Sequence, residues 1–248
     1  MVPRSLVSVI VAAVALGHAS PAYPKCARVL LAPQVITHGA DTIPAHGGVL
    51  VGFAKTTDDA AEAFVGRDPA MNADWTLTVG RRKVRPRVEQ LAPGLAVYRP
   101  GALRGARPTT ITLRDGKGGR LAAFSATSRT GGVDLPAPVV IQLTSTSSAQ
   151  SKGRWSGVRT TATAVVDRVP DGAAALIVYR ETAGAATALT WARVGAGASP
   201  TIEVYATPGR CGTEPDGLTP PQPGDSVVLA WVDQFGRLSP RSTVVVVK

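Results

Sequence analysis

Short apolar or alternating runs, separated by glycine and proline, repeat along the chain. Such runs between turn-forming residues are typical of β-strands. In the first half they predict six strands, at Arg28–Ile36, Gly48–Ala54, Trp75–Val79, Leu95–Tyr98, Thr109–Arg114 and Arg120–Ala126. The glycine-rich segment Asp115–Gly119 predicts a hairpin turn between the last two. One helical turn is predicted at Asp58–Val65.

The strand rhythm breaks at Ser128–Pro138, which contains two glycines and two prolines and predicts a linker. Seven strands are predicted after it, at Val139–Thr144, Val158–Val166, Ala174–Arg180, Ala188–Arg193, Thr201–Ala206, Ser226–Asp233 and Ser242–Lys248. Seven strands in about 110 residues is the count of an immunoglobulin-like sandwich. The pattern therefore predicts an all-β chain with two β-sandwich domains in tandem.

The predicted strand Ser226–Asp233 is apolar on both faces. Val228, Ala230 and Val232 point one way, and Val227, Leu229 and Trp231 point the other. We expect a central strand with one face in its own core and the other covered by the first half of the chain. The β-branched run Val244–Val247 requires a paired neighbour, because an unpaired run of this kind promotes aggregation.

The first 22 residues have the pattern of a secretory signal peptide. Arg4 supplies the positive charge, and the apolar run Leu6–Gly17 is too short to span a bilayer. Cleavage is expected after Ala19 or Ala22. The predicted organisation is a signal peptide at 1–22, a sandwich at 23–132 and a second sandwich at 133–248, in a protein that is secreted or located in the periplasm or cell envelope.

Export changes the interpretation of the two cysteines, Cys26 and Cys211. Outside the cytosol they can persist as a disulfide, which would pin the two predicted domains together. The alternative is a pair of buried or free thiols. A long proline-rich loop, Thr207–Gly224, contains Cys211, and a disulfide would hold it.

Composition and motifs argue against an enzyme. Hydrophobic residues make up 44% of the chain and charged residues 18%, which is enough to bury a core. Nucleophile-elbow, zincin, phosphate-loop and paired-cysteine motifs are all absent from the sequence. We therefore expect a protein without catalytic residues and without a cofactor.

Positive charge is concentrated in the first half. Residues 20–132 hold 16 Lys and Arg against 8 Asp and Glu, whereas residues 133–248 hold 10 against 9. The sharpest group, named the basic segment here, is Arg81, Arg82, Lys83, Arg85 and Arg87. Alternation would place four of these on one face, with Pro86 confining the segment to an edge or loop.

The basic segment has two interpretations. It can bind a polyanion such as an acidic polysaccharide or lipopolysaccharide. Alternatively, its charges blunt an edge strand against unwanted pairing. Specific nucleic-acid binding is not predicted, because no aromatic side chain interleaves the segment.

The stretch Leu229–Pro240, followed by Thr243–Val247, resembles the last hairpin of fibronectin type III-like domains. The opening of the first half, Leu31–Pro33, Asp41–Pro44 and Val49–Phe53, is similar to bacterial immunoglobulin-like domains. These resemblances imply the fold and an exported context and leave the activity open.

Two further functions remain as alternatives. Cleavage after Gly17 would expose His18 at the N-terminus, as in periplasmic copper carriers of immunoglobulin-like fold, with His38 or His46 as further ligands. A carbohydrate-binding module would use an exposed tryptophan or tyrosine, although sandwich packing is the expected role of all four tryptophans, Trp75, Trp155, Trp191 and Trp231. The leading prediction is a non-catalytic structural or interaction protein that binds a protein or acidic polysaccharide of the envelope.

Overall fold

The computed structural model describes residues 32–37, 42–44, 46–54, 74–101, 108–129, 134–152, 155–195, 197–206 and 218–248. Within these ranges the regular elements are all β-strands, which confirms the all-β prediction. In chain order they are β1 Ala32–Val35, β2 Thr42–Pro44, β3 Val49–Ala54, β4 Thr76–Val79, β5 Arg82–Val84, β6 Arg87–Ala92, β7 Leu95–Arg99, β8 Thr109–Arg114, β9 Arg120–Arg129, β10 Val140–Lys152, β11 Trp155–Val166, β12 Ala173–Thr182, β13 Ala185–Arg193, β14 Thr201–Ala206, β15 Ser226–Asp233 and β16 Val245–Val246.

Strands β1 to β9 form the two sheets of the first half. A five-stranded sheet has the order β2-β9-β8-β4-β5, with β2 parallel to β9 and the other pairs antiparallel. A four-stranded antiparallel sheet has the order β1-β3-β7-β6. Apolar side chains of both sheets, including Leu77, Ile111 and Tyr98, meet in a buried cluster that we name the first core. The arrangement is a β-sandwich.

The remaining strands form a second pair of sheets. One has the order β13-β12-β15-β16 and the other β10-β11-β14, and all their pairs are antiparallel. Between them lies the second core, which contains Leu143, Leu176, Val204 and the fully buried Trp231. This pair of sheets is also a sandwich.

A third apolar cluster, named the middle layer, joins the two sandwiches. It packs Leu50, Leu95 and Val97 of the first half against residues such as Ile177 and Ala230 of the second. The four sheets therefore stack with an apolar layer in each of the three spaces between them. Burial of each large aliphatic side chain in such a layer contributes about 1.5–3 kcal/mol.

Strand β15 confirms the expectation drawn from its two apolar faces. Val227, Leu229 and Trp231 lie in the second core, whereas Val228, Ala230 and Val232 lie in the middle layer. Strand β15 pairs with β12 on one side and with β16 on the other, so it is central in its sheet. The first half does cover its outer face.

The turn after β15 reaches into the first half. Phe235 is buried in the first core, and its carbonyl accepts a hydrogen bond from the Gly48 N–H at 3.1 Å. The Thr37 hydroxyl donates to the carbonyl of Gln234 at 2.5 Å. The carboxylate of Asp233 holds the turn, accepting hydrogen bonds from the backbone N–H groups of Phe235 and Arg237 at 2.9 and 2.8 Å. Phe235 thus anchors the second half in the core of the first.

Trp191 forms a second anchor between the halves. Its indole Nε1–H donates to the carbonyl of Pro93 at 3.0 Å, in the turn between β6 and β7. The ring lies over Gly52, where an added Cβ would come within 2.3 Å of the Trp191 Cη2 atom. The missing side chain at Gly52 is therefore what admits the indole.

Replacing Gly52 with alanine is expected to lower the free energy of unfolding by about 1–3 kcal/mol, because the indole must leave its position to avoid the new methyl group. The measurement is urea denaturation followed by tryptophan fluorescence. Gly195→Ala is the matched control, since no atom lies within 4 Å of its added Cβ; its change should stay within about 0.5 kcal/mol. Equal stability of the two variants would contradict the packing described.

The C-terminal segment completes the second sandwich. The hydroxyls of Ser239 and Ser242 accept hydrogen bonds from the backbone N–H groups of Trp231 and Leu229, each at 2.9 Å, and so act as carbonyls in the ladder. Beyond them, β16 pairs with β15, and the Lys248 N–H donates to the Leu143 carbonyl at 2.9 Å. The expected pairing of the valine run is confirmed.

Other predictions meet the structure in different ways. The Asp115–Gly119 hairpin turn is confirmed between β8 and β9. Strands β2, β5 and β6 were not predicted. The signal peptide, the helical turn at Asp58–Val65, both cysteines, His18, His38 and the side chain of Trp155 lie outside the described residues, so the disulfide stays a prediction, as do the domain boundaries.

Candidate functional site

The basic segment begins at a tight turn. Strands β4 and β5 are joined by Gly80 and Arg81, and Val79 pairs with Arg82. Gly80 has a φ of 60°, which a two-residue turn with glycine first requires and which other residues adopt only with strain. This turn places Arg81 and Arg82 at one end of the five-stranded sheet.

The segment then passes from one sheet to the other. Strand β5 is the edge of the five-stranded sheet, and β6, which begins at Arg87, is the edge of the four-stranded sheet. Arg85 and Pro86 lie between them and belong to no strand. Pro86 has no N–H to continue the ladder, and the strand pairing changes there. The expected confinement to an edge or loop is confirmed.

From Lys83 to Val88, exposed cations alternate with buried or half-buried apolar side chains, even though the chain changes from one sheet to the other. Lys83, Arg85 and Arg87 are exposed, as are Arg81 and Arg82. Pro86 is buried between Arg85 and Arg87, and Val84 and Val88 are half-buried against the first core. These three side chains face the sandwich, whereas the five cations lie exposed along its edge.

Acidic side chains do not neutralise the segment. Among the residues that the structure describes, none of the five cations forms an ion pair. The nearby Glu89 carboxylate is bound instead by the Arg99 Nε at 2.9 Å. Arg99 is also the cross-strand neighbour of Arg87, and it donates to the carbonyls of His46 and Gly236. The site is therefore an excess of positive charge at the surface.

Two cations that the sequence reasoning missed lie at the same end of the sheet as Arg85. Arg114 and Arg120 are exposed and occupy opposite backbone positions in the β8–β9 hairpin, although like charges opposite each other are unfavourable. Thr76 of β4 pairs with Arg114, and β4 is the only strand between β5 and β8 in this sheet. The distance from β5 to β8 is about 10 Å from the usual strand spacing. In the sequence, these two arginines could have been found because they flank the predicted Asp115–Gly119 hairpin turn.

The residues of the two alternative functions are placed as follows. His46 is exposed, and within the described ranges no group of three or more His, Cys, Asp or Glu side chains is placed to hold a metal ion. Trp75 stacks on Tyr98 with ring centroids 5.0 Å apart. Because Trp191 and Trp231 are also in packing contacts, the expected structural role is confirmed for these three tryptophans.

Two ionisable side chains with displaced pKa values lie away from the basic segment. Burial raises the pKa of Tyr179, while the Arg241 guanidinium, 5.1 Å from the ring centroid, acts in the opposite direction. Burial would also raise the pKa of Asp225, but hydrogen bonds, led by one from Arg180 at 2.8 Å, lower it overall. Both contacts tie β12 to the segments that flank β15, and we assign them to the stability of the second half.

Comparison of the chain with models of known protein families finds no match, and comparison with curated proteins finds none either. In the part of the chain that the structure describes, no helix is long and apolar enough to cross a bilayer. The class that the fold defines is thus a pair of packed all-β sandwiches, and the function has to be argued from the site.

Proposed function

We propose that this is an exported, non-catalytic interaction protein that binds an acidic polymer of the cell envelope or extracellular space through the basic segment. The observation that carries the proposal is five exposed cations, none in an ion pair with a described residue, on an edge where Val84 and Pro86 face the sandwich. A cation cluster without local acids attracts a polyanion over a distance of about one Debye length.

The geometry favours an extended ligand over a compact one. The five cations follow the chain across the edges of two sheets, and Arg114 and Arg120 add charge about two strands away. A groove formed by Asp134, Asp233 and Arg237 with apolar neighbours contains none of the five cations. A linear acidic polysaccharide suits such an open charged edge.

Export rests on the N-terminal pattern of the sequence, and the proposed context is the envelope or the extracellular space. In that setting the same charges also protect the edges of β5 and β6 from pairing with other strands. The two roles are compatible, because a polyanion binds the charged side chains and does not pair with the backbone of the edge strands.

Neutralising Arg81, Arg82 and Lys83 together with glutamine is expected to weaken binding to an acidic polysaccharide at least about tenfold, or 1.4 kcal/mol. The probe is polygalacturonate, with neutral dextran as the ligand control, and binding is measured by calorimetry over a salt series. Binding by the native protein should weaken steeply as salt rises, because bound counterions are released from the polymer.

A second triple variant matches the loss of charge: Arg159, Arg168 and Lys248, all exposed in the second half, are changed to glutamine. Because these residues lie outside the site, the affinity of this variant should stay close to that of the native protein. If the affinity does not depend on salt, or if both triple variants lose the same amount of affinity, the proposal is wrong.

A further inference from the structure

Strand β10 has a backbone edge that the described chain covers only at one end. The Lys248 N–H donates to the Leu143 carbonyl, and the Lys248 carbonyl accepts from the Ser145 N–H at 2.8 Å. The backbone groups of odd-numbered residues therefore point away from β11, to which the strand is paired over its whole length. Past Ser145 the outward groups belong to Ser147, Ala149 and Ser151.

No described residue pairs with these outward groups. Strand β10 runs to Lys152 in register with β11 and shows no bulge after Gln142. The side chains of Ser147 and Ala149 are exposed, because this part of the hairpin extends beyond the second core. A row of open donors and acceptors of this kind is a template for another strand.

The chemistry of this edge differs from that of the β5 and β6 edges. Strands β5 and β6 begin with exposed arginines, a common protection against pairing. Residues 140–151 of β10 include no charged side chain, and Lys152 follows as the last residue of the strand. Their small hydroxyl and methyl groups allow close approach of a second strand. Up to residue 151 the edge therefore lacks the charges that protect the β5 and β6 edges.

The distribution of charge points to a second copy of this chain as the occupant. Residues 133–248 have a net charge of +1, whereas residues 20–132 have +8. Two copies that meet through β10 bring their nearly neutral halves together and keep their basic halves apart. With the axis at Ala149, Lys152 lies opposite Thr146 of the second copy and away from the other Lys152, so the edge is self-complementary, as a two-fold interface requires.

We propose that the protein forms a homodimer in which β10 pairs antiparallel with β10 of a second copy. A two-fold axis at Ala149 pairs Ala149 with its own copy and Ser147 with the partner's Ser151. The three-stranded sheets then join into one sheet of six strands, β14-β11-β10 continued by its symmetry copy. The dimer carries two basic segments, and a polymer that reaches both is held more tightly than by either alone.

The test is sedimentation velocity of the protein purified after export, over a concentration series. The native protein should show a reversible monomer–dimer equilibrium that salt does not weaken. Ala149→Pro removes the outward N–H, and edge strands tolerate proline where the lost N–H faces solvent. It should raise the dissociation constant at least tenfold. Ala149→Thr keeps the N–H and should dimerise as the native protein does.

Ala149→Lys provides an independent variant if proline disturbs the hairpin. It places two like charges opposite each other at the axis, so it should also raise the dissociation constant at least tenfold, with a circular dichroism spectrum like that of the native protein. A native protein that sediments as a monomer throughout would overturn the proposal. Native-like dimerisation of both the proline and lysine variants would overturn it as well. Neither result bears on polyanion binding by the monomer.

Discussion

Replacing Ile177 with aspartate is expected to unfold both halves of the protein together. Ile177 is fully buried in the middle layer, between a strand of the second half and the inner sheet of the first. A carboxylate there would lose its water without gaining a cation, at a cost of several kcal/mol. Since whole domains are stable by about 5–15 kcal/mol, we expect a loss of more than about 4 kcal/mol. Denaturation by guanidinium, followed by circular dichroism, measures it.

The same substitution at Ile141 is the matched control, because this isoleucine is 65% exposed on β10. Ile141→Asp should change the free energy of unfolding by no more than about 0.5 kcal/mol. If the Ile177 variant unfolds at the same denaturant concentration as the control, the middle layer does not hold the two sandwiches together.

Replacing Phe235 with alanine is expected to cost about 3–5 kcal/mol, the usual range for a buried phenylalanine. Phe235 is buried in the first core although β15, which precedes it, belongs to the second half. The damage should therefore fall on the first half. Hydrogen exchange should quicken at the amides of Val49 and Tyr98, whose side chains lie in the same core.

Leu238→Ala, three residues further along the same turn, provides the comparison for Phe235. Leu238 is 47% exposed, so its truncation should change stability by about 0.5 kcal/mol or less. Faster exchange confined to β12 and β15 in the Phe235 variant would contradict the placement of its ring in the first core.

The all-β class was predictable because alternation and turn residues are local features. The two apolar faces of Ser226–Asp233 even indicated that a second layer would cover the strand, and the middle layer does so. A strand with one polar face needs no such cover, so the sequence contained this information without any knowledge of the partner sheet.

The change of sheet inside the basic segment was not predictable from its own residues. Which neighbour β5 or β6 pairs with depends on β4 and β7, and these contacts are set by the packing of the whole sandwich. Pro86 indicated only that an ordinary ladder stops there. The burial of Phe235 in the first core was not predictable either, since an aromatic residue in a turn does not show which core it will enter.

Two links between the halves were expected, a disulfide and the cover of β15 by the first half; the described residues show the second and add others to it. Trp191 over Gly52, Phe235 in the first core and the middle layer are all contacts between residues far apart in the chain. Such contacts arise from the tertiary arrangement, whereas a pair of cysteines is visible in the sequence. The predicted disulfide would add to this link.

The middle layer also constrains how such a chain can change over evolutionary time. Domains that are joined only by linkers, without a shared apolar interface, can be duplicated, exchanged or lost one by one during recombination. Here each inner sheet carries apolar side chains that pack against those of the other. A gene fragment that encodes one half alone would therefore produce a protein with an exposed apolar sheet face. The two halves are expected to be inherited as a unit, and a useful hybrid must carry both inner sheets from the same parent.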